Sequence, residues 1–307
     1  MAETALIFAG QGAQSVGMGR DLAEQYPECR ELFTRADEVL GYSLSGICFE
    51  GPDEELTKSN HCQPAIFVTS VACYTALKRE MPDLAPKGMA GLSLGEWSAL
   101  HVAGALSFDD ALRVLEARGR FMQEACEERE GGMVSVIGLS ADKLEEICKE
   151  AGVEISNLNS AEQTVLSGEK QGIEKAEQLA KDAGAKRAIV LKVAGAFHSS
   201  LMSGAAERLE AVLADIEMNE PELPVLSNVT GEPHGAGDAI KREMLRQVNS
   251  SVRWLSCVEW FRGQGVAEYI ECGPGKVLSG LARRIDRDAT TRNVQDVETL
   301  KKAVDRQ

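Results

Sequence analysis

The sequence predicts an α/β fold with a small inserted β-α-β-β-α-β unit. Two observations carry this: apolar runs ending in Gly-rich turns alternate with amphipathic stretches, and the texture changes at "REGG", residues 129–132. A chain of 307 residues, 44% hydrophobic and 26% charged, can bury a full core. No segment approaches the roughly 18 consecutive apolar residues of a membrane span. The opening "MAETALIFAGQG" has no basic leader region, so it reads as a first buried strand and not as a signal peptide.

In order, "ALIFAG" is a strand and "GRDLAEQYPECRELFTRADEVLG" begins the helices behind it. "QPAIFVTSVACYTALKRE" is an apolar helix with Pro64 able to occupy its first turn. "GMAG" is a short strand leading into Ser93, and "LGEWSALHVAG" is the helix after it. "SFDDALRVLEARGRFMQEACEE" follows, with Ser107 as N-cap and Asp109 and Asp110 in its first turn. Then come the strand "MVSVIGL", the helix "SADKLEEICKEAG", the strands "VEISNLN" and "QTVLSGE", the helix "KQGIEKAEQLAKDAG" and the strand "KRAIVLKV". That run is a ferredoxin-like unit of about 65 residues. The chain returns at "GAFHSSLMSGAAERLEAVLADI", so residues 130–195 read as an insertion in a larger domain formed by 1–129 and 196–307. "GVAEYIECGPGKVLSGLARRI" supplies one more strand, turn and helix.

The 33 Lys and Arg against 48 Asp and Glu give a net charge of −15, which argues against nucleic acid as the main ligand. Anionic small molecules need only a local basic cluster. The eight cysteines show no C-x-x-C pair and no metal-ligand spacing. They read as reduced thiols in a cytoplasmic protein, packed as small core hydrophobes.

Four features bear on chemistry. "GLSLGE" has the G-x-S-x-G spacing, which either exposes Ser93 as a nucleophile or merely turns a strand into a helix. A serine nucleophile needs a base, and there are four histidines. His101 lies eight residues along the same helix, about 12 Å away. His234 sits in the turn-rich "GEPHGAGD", read as an exposed loop, and His61 precedes "CQPAIF" as a helix cap. His198, between a strand end and a helix start, is the best base by elimination. Arg118 falls on the apolar stripe 111, 115, 118, 122, 125 of its helix. It either reaches an edge or a protein carboxylate, or offers a fork to a ligand carboxylate. Gly119 beside it, costly in mid-helix, signals a close backbone approach. "GQGAQ" is neither a dinucleotide fingerprint nor a P-loop, and is a plain turn or a source of N–H groups for an oxyanion.

Together these residues resemble the malonyl-CoA:acyl-carrier-protein transacylases, an acyltransferase family of fatty-acid synthesis. The matching segments are "IFAGQGAQSVGMG", "QPAIF", "GLSLGEWSAL", "EARGRFMQEA", "GAFHSSLM", "RQVNSSVRW" and "ECGPGKVLSGL", in family order over nearly the whole chain. The resemblance implies an α/β-hydrolase-like core with an inserted ferredoxin-like subdomain, and ping-pong transfer of malonyl from CoA to the carrier's phosphopantetheine thiol. Ser93 would carry the malonyl ester and His198 would move its proton. Gln11 and the backbone N–H of Leu94 would form the oxyanion hole, and Arg118 would hold the malonyl carboxylate. Gln247 would stand near the histidine, whose imidazole backbone carbonyls orient. Asn159 would support the site, and Phe197 would accompany malonyl selection over methylmalonyl. The partners implied are holo acyl carrier protein and a CoA thioester, with no cofactor, metal, nucleic acid or membrane, on a monomer. Leu92, "NSAEQ" at 159–163, "AGA" at 194–196 and Ser251 depart from the usual family pattern. Alternatives are a loading acyltransferase of a polyketide-type pathway, a serine thioesterase, and a non-catalytic carrier-binding module. Arg283 and Arg284, or Lys186, Arg187 and Lys192, are candidate carrier contacts, or plain solvated charge.

Overall fold

The computed structural model describes residues 3–305, so the outer ends of the large domain read from the sequence lie outside the described residues. Four parallel strands form the main sheet. They are β1 (Glu3–Phe8), β2 (Gly88–Gly91), β7 (Val266–Cys272) and β8 (Thr290–Val294), in the order β2-β1-β7-β8. β1 is buried from Thr4 to Phe8 and β2 throughout, which is why both read as unbroken apolar runs. Pairing sets Phe8 level with both Gly91 and Cys272. The "GQGAQ" loop, Ser93 and the Gly-Pro turn after β7 therefore leave the same edge, where ligand crevices of parallel sheets form.

The second sheet contains β3 (Gly131–Ile137), β4 (Glu154–Ser160), β5 (Gln163–Glu169) and β6 (Arg187–Val190), antiparallel in the order β4-β5-β3-β6. β3 alternates between its two faces. Val134 and Val136 pack with Leu144, Ile147, Ile173 and Ala176 of the helices Ala141–Ala151 and Lys170–Asp182. Met133 belongs instead to the main core. The two sheets are tied where Val252 donates to Ser156 O (2.8 Å) and accepts from Leu158 N (2.9 Å).

The structure corrects several local expectations. The "KRAIVLKV" strand pairs only over Arg187–Val190. After Leu191 N bonds Met133 O (2.9 Å), the chain leaves the ladder to line the central cavity. The apolar helix begins early, at Ser59, and runs to Glu80, so Pro64 lies inside it and not in its first turn. His61 is likewise inside that helix, its Nδ1 3.0 Å from Glu55 O, and does not cap it. Ser107 caps the Phe108–Glu128 helix as read, accepting from Asp110 N. Polar β8 and the helices Trp254–Gly263 and Val297–Val304 had no reading in the sequence. Among the described residues no helix is long and apolar enough to cross a membrane.

Candidate active site

Ser93 follows β2 and occupies the N-cap position of the Leu94–Val102 helix, with φ 56° and ψ −106°. Its hydroxyl makes no capping bond and is free to point outward. Among the described residues only Ser93 and His198 (φ 58°) are non-glycine residues with positive φ. Both sit where strain of this kind marks function. The flanking glycines are steric necessities. A Cβ on Gly91 would lie 1.9 Å from Gly95 C, and one on Gly95 2.2 Å from Phe8 O. Asn228 locks the turn, accepting from Ser93 N (2.7 Å) and donating through Nδ2 to Gly91 O (2.8 Å).

His198 Nε2 lies 2.8 Å from Ser93 Oγ, and its Nδ1 2.8 Å from the backbone carbonyl of Gln247. A carbonyl only accepts, so Nδ1 carries the hydrogen and Nε2 presents a lone pair to the serine hydroxyl. Burial, and then the Arg118 charge, push the imidazole down to about 4, so it is neutral at physiological pH. A main-chain carbonyl here does the orienting that a carboxylate does in a Ser-His-Asp triad.

Arg118 is 1% exposed on the Phe108–Glu128 helix. It donates to Gln63 Oε1 (2.6 Å), Ser93 Oγ (2.9 Å) and Gln247 Oε1 (2.9 Å), and its Nε has no partner. These contacts are two amides and a hydroxyl, so neither an edge position nor a paired protein carboxylate accounts for it. Burial lowers its pKa to about 10, partly offset by the field of Glu96, and it remains a cation. Gly119 explains itself: its face meets the first turn of the Ser59–Glu80 helix, the helix that carries Gln63.

Gln247 is fully buried and bonds every principal group, donating to Ser93 O (2.9 Å) and Glu96 Oε2 (2.6 Å) besides its contacts to Arg118 and His198. Gln11 lines the cavity, with its side-chain amide on Ser59 Oγ (3.1 Å) and its carbonyl facing Gln63 Nε2 (3.3 Å). That leaves the backbone N–H as the group it can offer. Leu94 is the first residue of its helix, and its N–H needs no intrahelical partner. The cavity, about 310 Å³, is also lined by Leu92, Met122, Met133, Asn159, Val193 and Phe197. Asn159 is buried, and its Oδ1 has no hydrogen-bond partner. Ser251, at a departure from the family pattern, donates to Ile155 O and helps fasten the two sheets.

Four contributors escaped the sequence reading: Gln63, Asn228, Glu96 and His234. Glu96 had a signal, as the one acid in the otherwise apolar "LGEWSALHV". Gln63 lay in the quoted "QPAIF" without a role. His234 is corrected outright. Its side chain is fully buried, 2.6 Å from Glu96 Oε1 and 3.0 Å from Glu243 Oε2, because the loop folds inward onto the Leu94–Val102 helix. His101 binds Leu106 O (2.9 Å) through Nδ1 and takes no part. All eight cysteines are free, and no cluster of potential metal ligands occurs among the described residues.

Known proteins resemble this chain over nearly its whole length. The acyl transferase domain family matches residues 5–297. The chain is 43% identical to a malonyl CoA-acyl carrier protein transacylase of Bacillus subtilis, covering 99% of this chain and 97% of that one. It is 44% identical to the Escherichia coli K12 protein of the same description, over 93% of each. Among solved structures, the malonyl CoA-acyl carrier protein transacylase of Coxiella burnetii superposes with a TM-score of 0.96 at 36% identity, covering 99% and 98%. A malonyl-transacylase in complex with its type II polyketide acyl-carrier protein gives 0.95 at 41%, with both chains fully covered. The chain belongs to the acyl transferase family, among the malonyl CoA-acyl carrier protein transacylases.

Proposed function

We propose that the protein transfers a malonyl group from CoA to the phosphopantetheine thiol of an acyl carrier protein through an ester on Ser93. The observation that carries this reading is Arg118, a buried cation with no protein carboxylate, bonded directly to the nucleophile. His198 Nε2 takes the Ser93 proton as Oγ attacks the thioester carbonyl. The resulting oxyanion is received by the N–H groups of Gln11 and Leu94. Collapse expels the CoA sulfur, which takes the proton from His198. The carrier thiol then repeats the sequence in reverse. Arg118 leaves Ser93 Oγ for the malonyl carboxylate, and an acetyl group would leave it unpaired. Ester-for-thioester exchange calls for no redox partner or Lewis acid, so the reading needs no cofactor. Phe197, packed at the cavity wall, opposes a branched acyl group, and Asn159 offers its free carbonyl oxygen nearby.

In this reading residues 1–129 and 196–307 form an α/β-hydrolase-like core and 130–195 a ferredoxin-like insert, supported by the parallel sheet and by the order β4-β5-β3-β6. Free thiols suit a cytoplasmic protein. The two candidate basic segments converge in part. Lys186 and Arg187, at the start of β6, line one cleft of about 550 Å³ with Arg283 and Arg284 of the Val277–Ile285 helix and Arg287 just past it, whereas Lys192 lines the active-site cavity. In a chain of net charge −15, this cleft is where we place an acidic carrier protein.

Intact-protein mass spectrometry after brief mixing with malonyl-CoA tests the reading. One malonyl adduct is expected on the wild type and none on Ser93→Ala, with discharge by holo carrier protein. An adduct that water removes as fast as the carrier does would make the protein a thioesterase instead.

A further inference from the structure

We propose that His234 is a charge-balancing residue for malonyl recognition. Held as an imidazolium between Glu96 and Glu243, it cancels the Glu96 carboxylate, so that the Arg118 guanidinium remains available to an anionic acyl group. This rests on the reading of Arg118 given above.

Two carboxylates face the ring. Nε2 lies 2.6 Å from Glu96 Oε1 and Nδ1 3.0 Å from Glu243 Oε2. A carboxylate only accepts, so Nε2 carries hydrogen, while Nδ1 stands at ion-pair distance from Glu243 without hydrogen-bond alignment. Burial opposes a positive ring, but the Glu243 and Glu96 carboxylates beside it lift the imidazole to about 9. The side chains of His234 and Glu96 are fully buried, and that of Glu243 is 22% exposed.

The cluster then connects to the active site by one side chain. Glu96 Oε2 accepts from Gln247 Nε2 (2.6 Å) and from Asn228 N (3.2 Å), and Gln247 Oε1 accepts from Arg118 Nη2 (2.9 Å). Glu96 is the acid whose field reaches Arg118. The other titratable neighbours are Arg246, which acts on Glu243, and the Cys257 thiol, which burial and the Glu96 field keep protonated. Glu243 is partly exposed and faces Arg246, so the fully buried charges are Glu96 against His234 and Arg118, and one positive charge is left over only while His234 is protonated. A malonyl carboxylate then completes a neutral cluster. With His234 neutral it would leave the cluster negative, and uncompensated charge is costly at this depth.

The test compares malonyl-CoA with acetyl-CoA on the wild type, His234→Gln and Arg118→Ala, reading the rate of the Ser93 adduct on folded protein. His234→Gln keeps a donor toward Glu96 but removes the charge. Its malonyl kcat/KM should fall about tenfold, while acetyl loading stays within about twofold of the wild type. Equal loss for both substrates would make His234 merely structural, and no loss at all would make it idle; either overturns the proposal. If Arg118→Ala keeps the full malonyl preference, the reading of Arg118 itself is what fails. Should His234→Gln not fold, Glu243→Gln retains the Glu96 pair and weakens only the hold on the proton. Its malonyl preference should then drop between about pH 6.5 and 8, below the wild-type titration near 9, where the wild type holds steady. A profile matching the wild type would also overturn the proposal.

Discussion

Substituting Gly119 by alanine sets two effects of opposite sign against each other. Helix propensity alone favours alanine by about 1 kcal/mol in mid-helix. Packing opposes it. The new Cβ would lie 2.2 Å from Ser59 O, 2.6 Å from Ser59 C and 2.8 Å from Asn60 Cα, all backbone atoms that no rotamer change can move. Ordinary contact begins near 3.4 Å, so the helices Phe108–Glu128 and Ser59–Glu80 must part by about 1.2 Å. Overpacking of this kind costs about 1–3 kcal/mol. Parting also stretches the 2.6 Å bond from Arg118 to Gln63, a buried charged bond whose loss costs about 1–3 kcal/mol more. Packing therefore wins, with net destabilisation of about 1–5 kcal/mol and a drop in Tm of several degrees, at roughly 2 °C per kcal/mol for a chain this long. Because Arg118 is displaced with the helix, malonyl acylation should fall about ten- to a hundredfold. Thermal melts and adduct-rate measurements on Gly119→Ala check both. A higher Tm with unchanged acylation would refute the argument, since it would show that propensity, not the helix contact, governs this position.

Because His198 is depressed to about 4, acylation should stay level through neutral pH and fall only below about pH 5, so an acid limb near the ordinary histidine value would contradict the site. The sign for stability is the same. The unfolded chain binds the proton more readily, so this contribution is complete above the ordinary value of about 6.5. It is lost toward pH 4 at up to about 1.4 kcal/mol per unit, and His198→Gln should flatten that slope in urea titrations. At the basic cleft, Arg284→Glu should raise KM for the carrier protein about tenfold and leave the malonyl-CoA half-reaction unchanged, with loss of both counting against docking there.

Local pattern alone settled much of this protein. Strand runs buried on both faces, the glycines around Ser93, the Ser107 cap and the β-α-β-β-α-β order are all written at short range, because turn sterics and apolar periodicity act over a few residues. Ser93 could be singled out by its glycine-flanked motif, Arg118 by its place on an apolar stripe, and His198 only by elimination among four histidines. What no segment contains is which partners meet. Gln63, Arg118, His198, Asn228 and Gln247 come from separate stretches, and only the level register of β1, β2 and β7 and the meeting of two helices at Gly119 bring them together around Ser93. His234 is the clearest case. Its glycine- and proline-rich surroundings read as exposed loop, yet it is buried between Glu243 of the next helix and Glu96 from across the chain, because a buried acid must find a counter-charge. Local sterics are legible in order along the sequence, whereas charge pairing and burial depend on distances that exist only once the chain has folded.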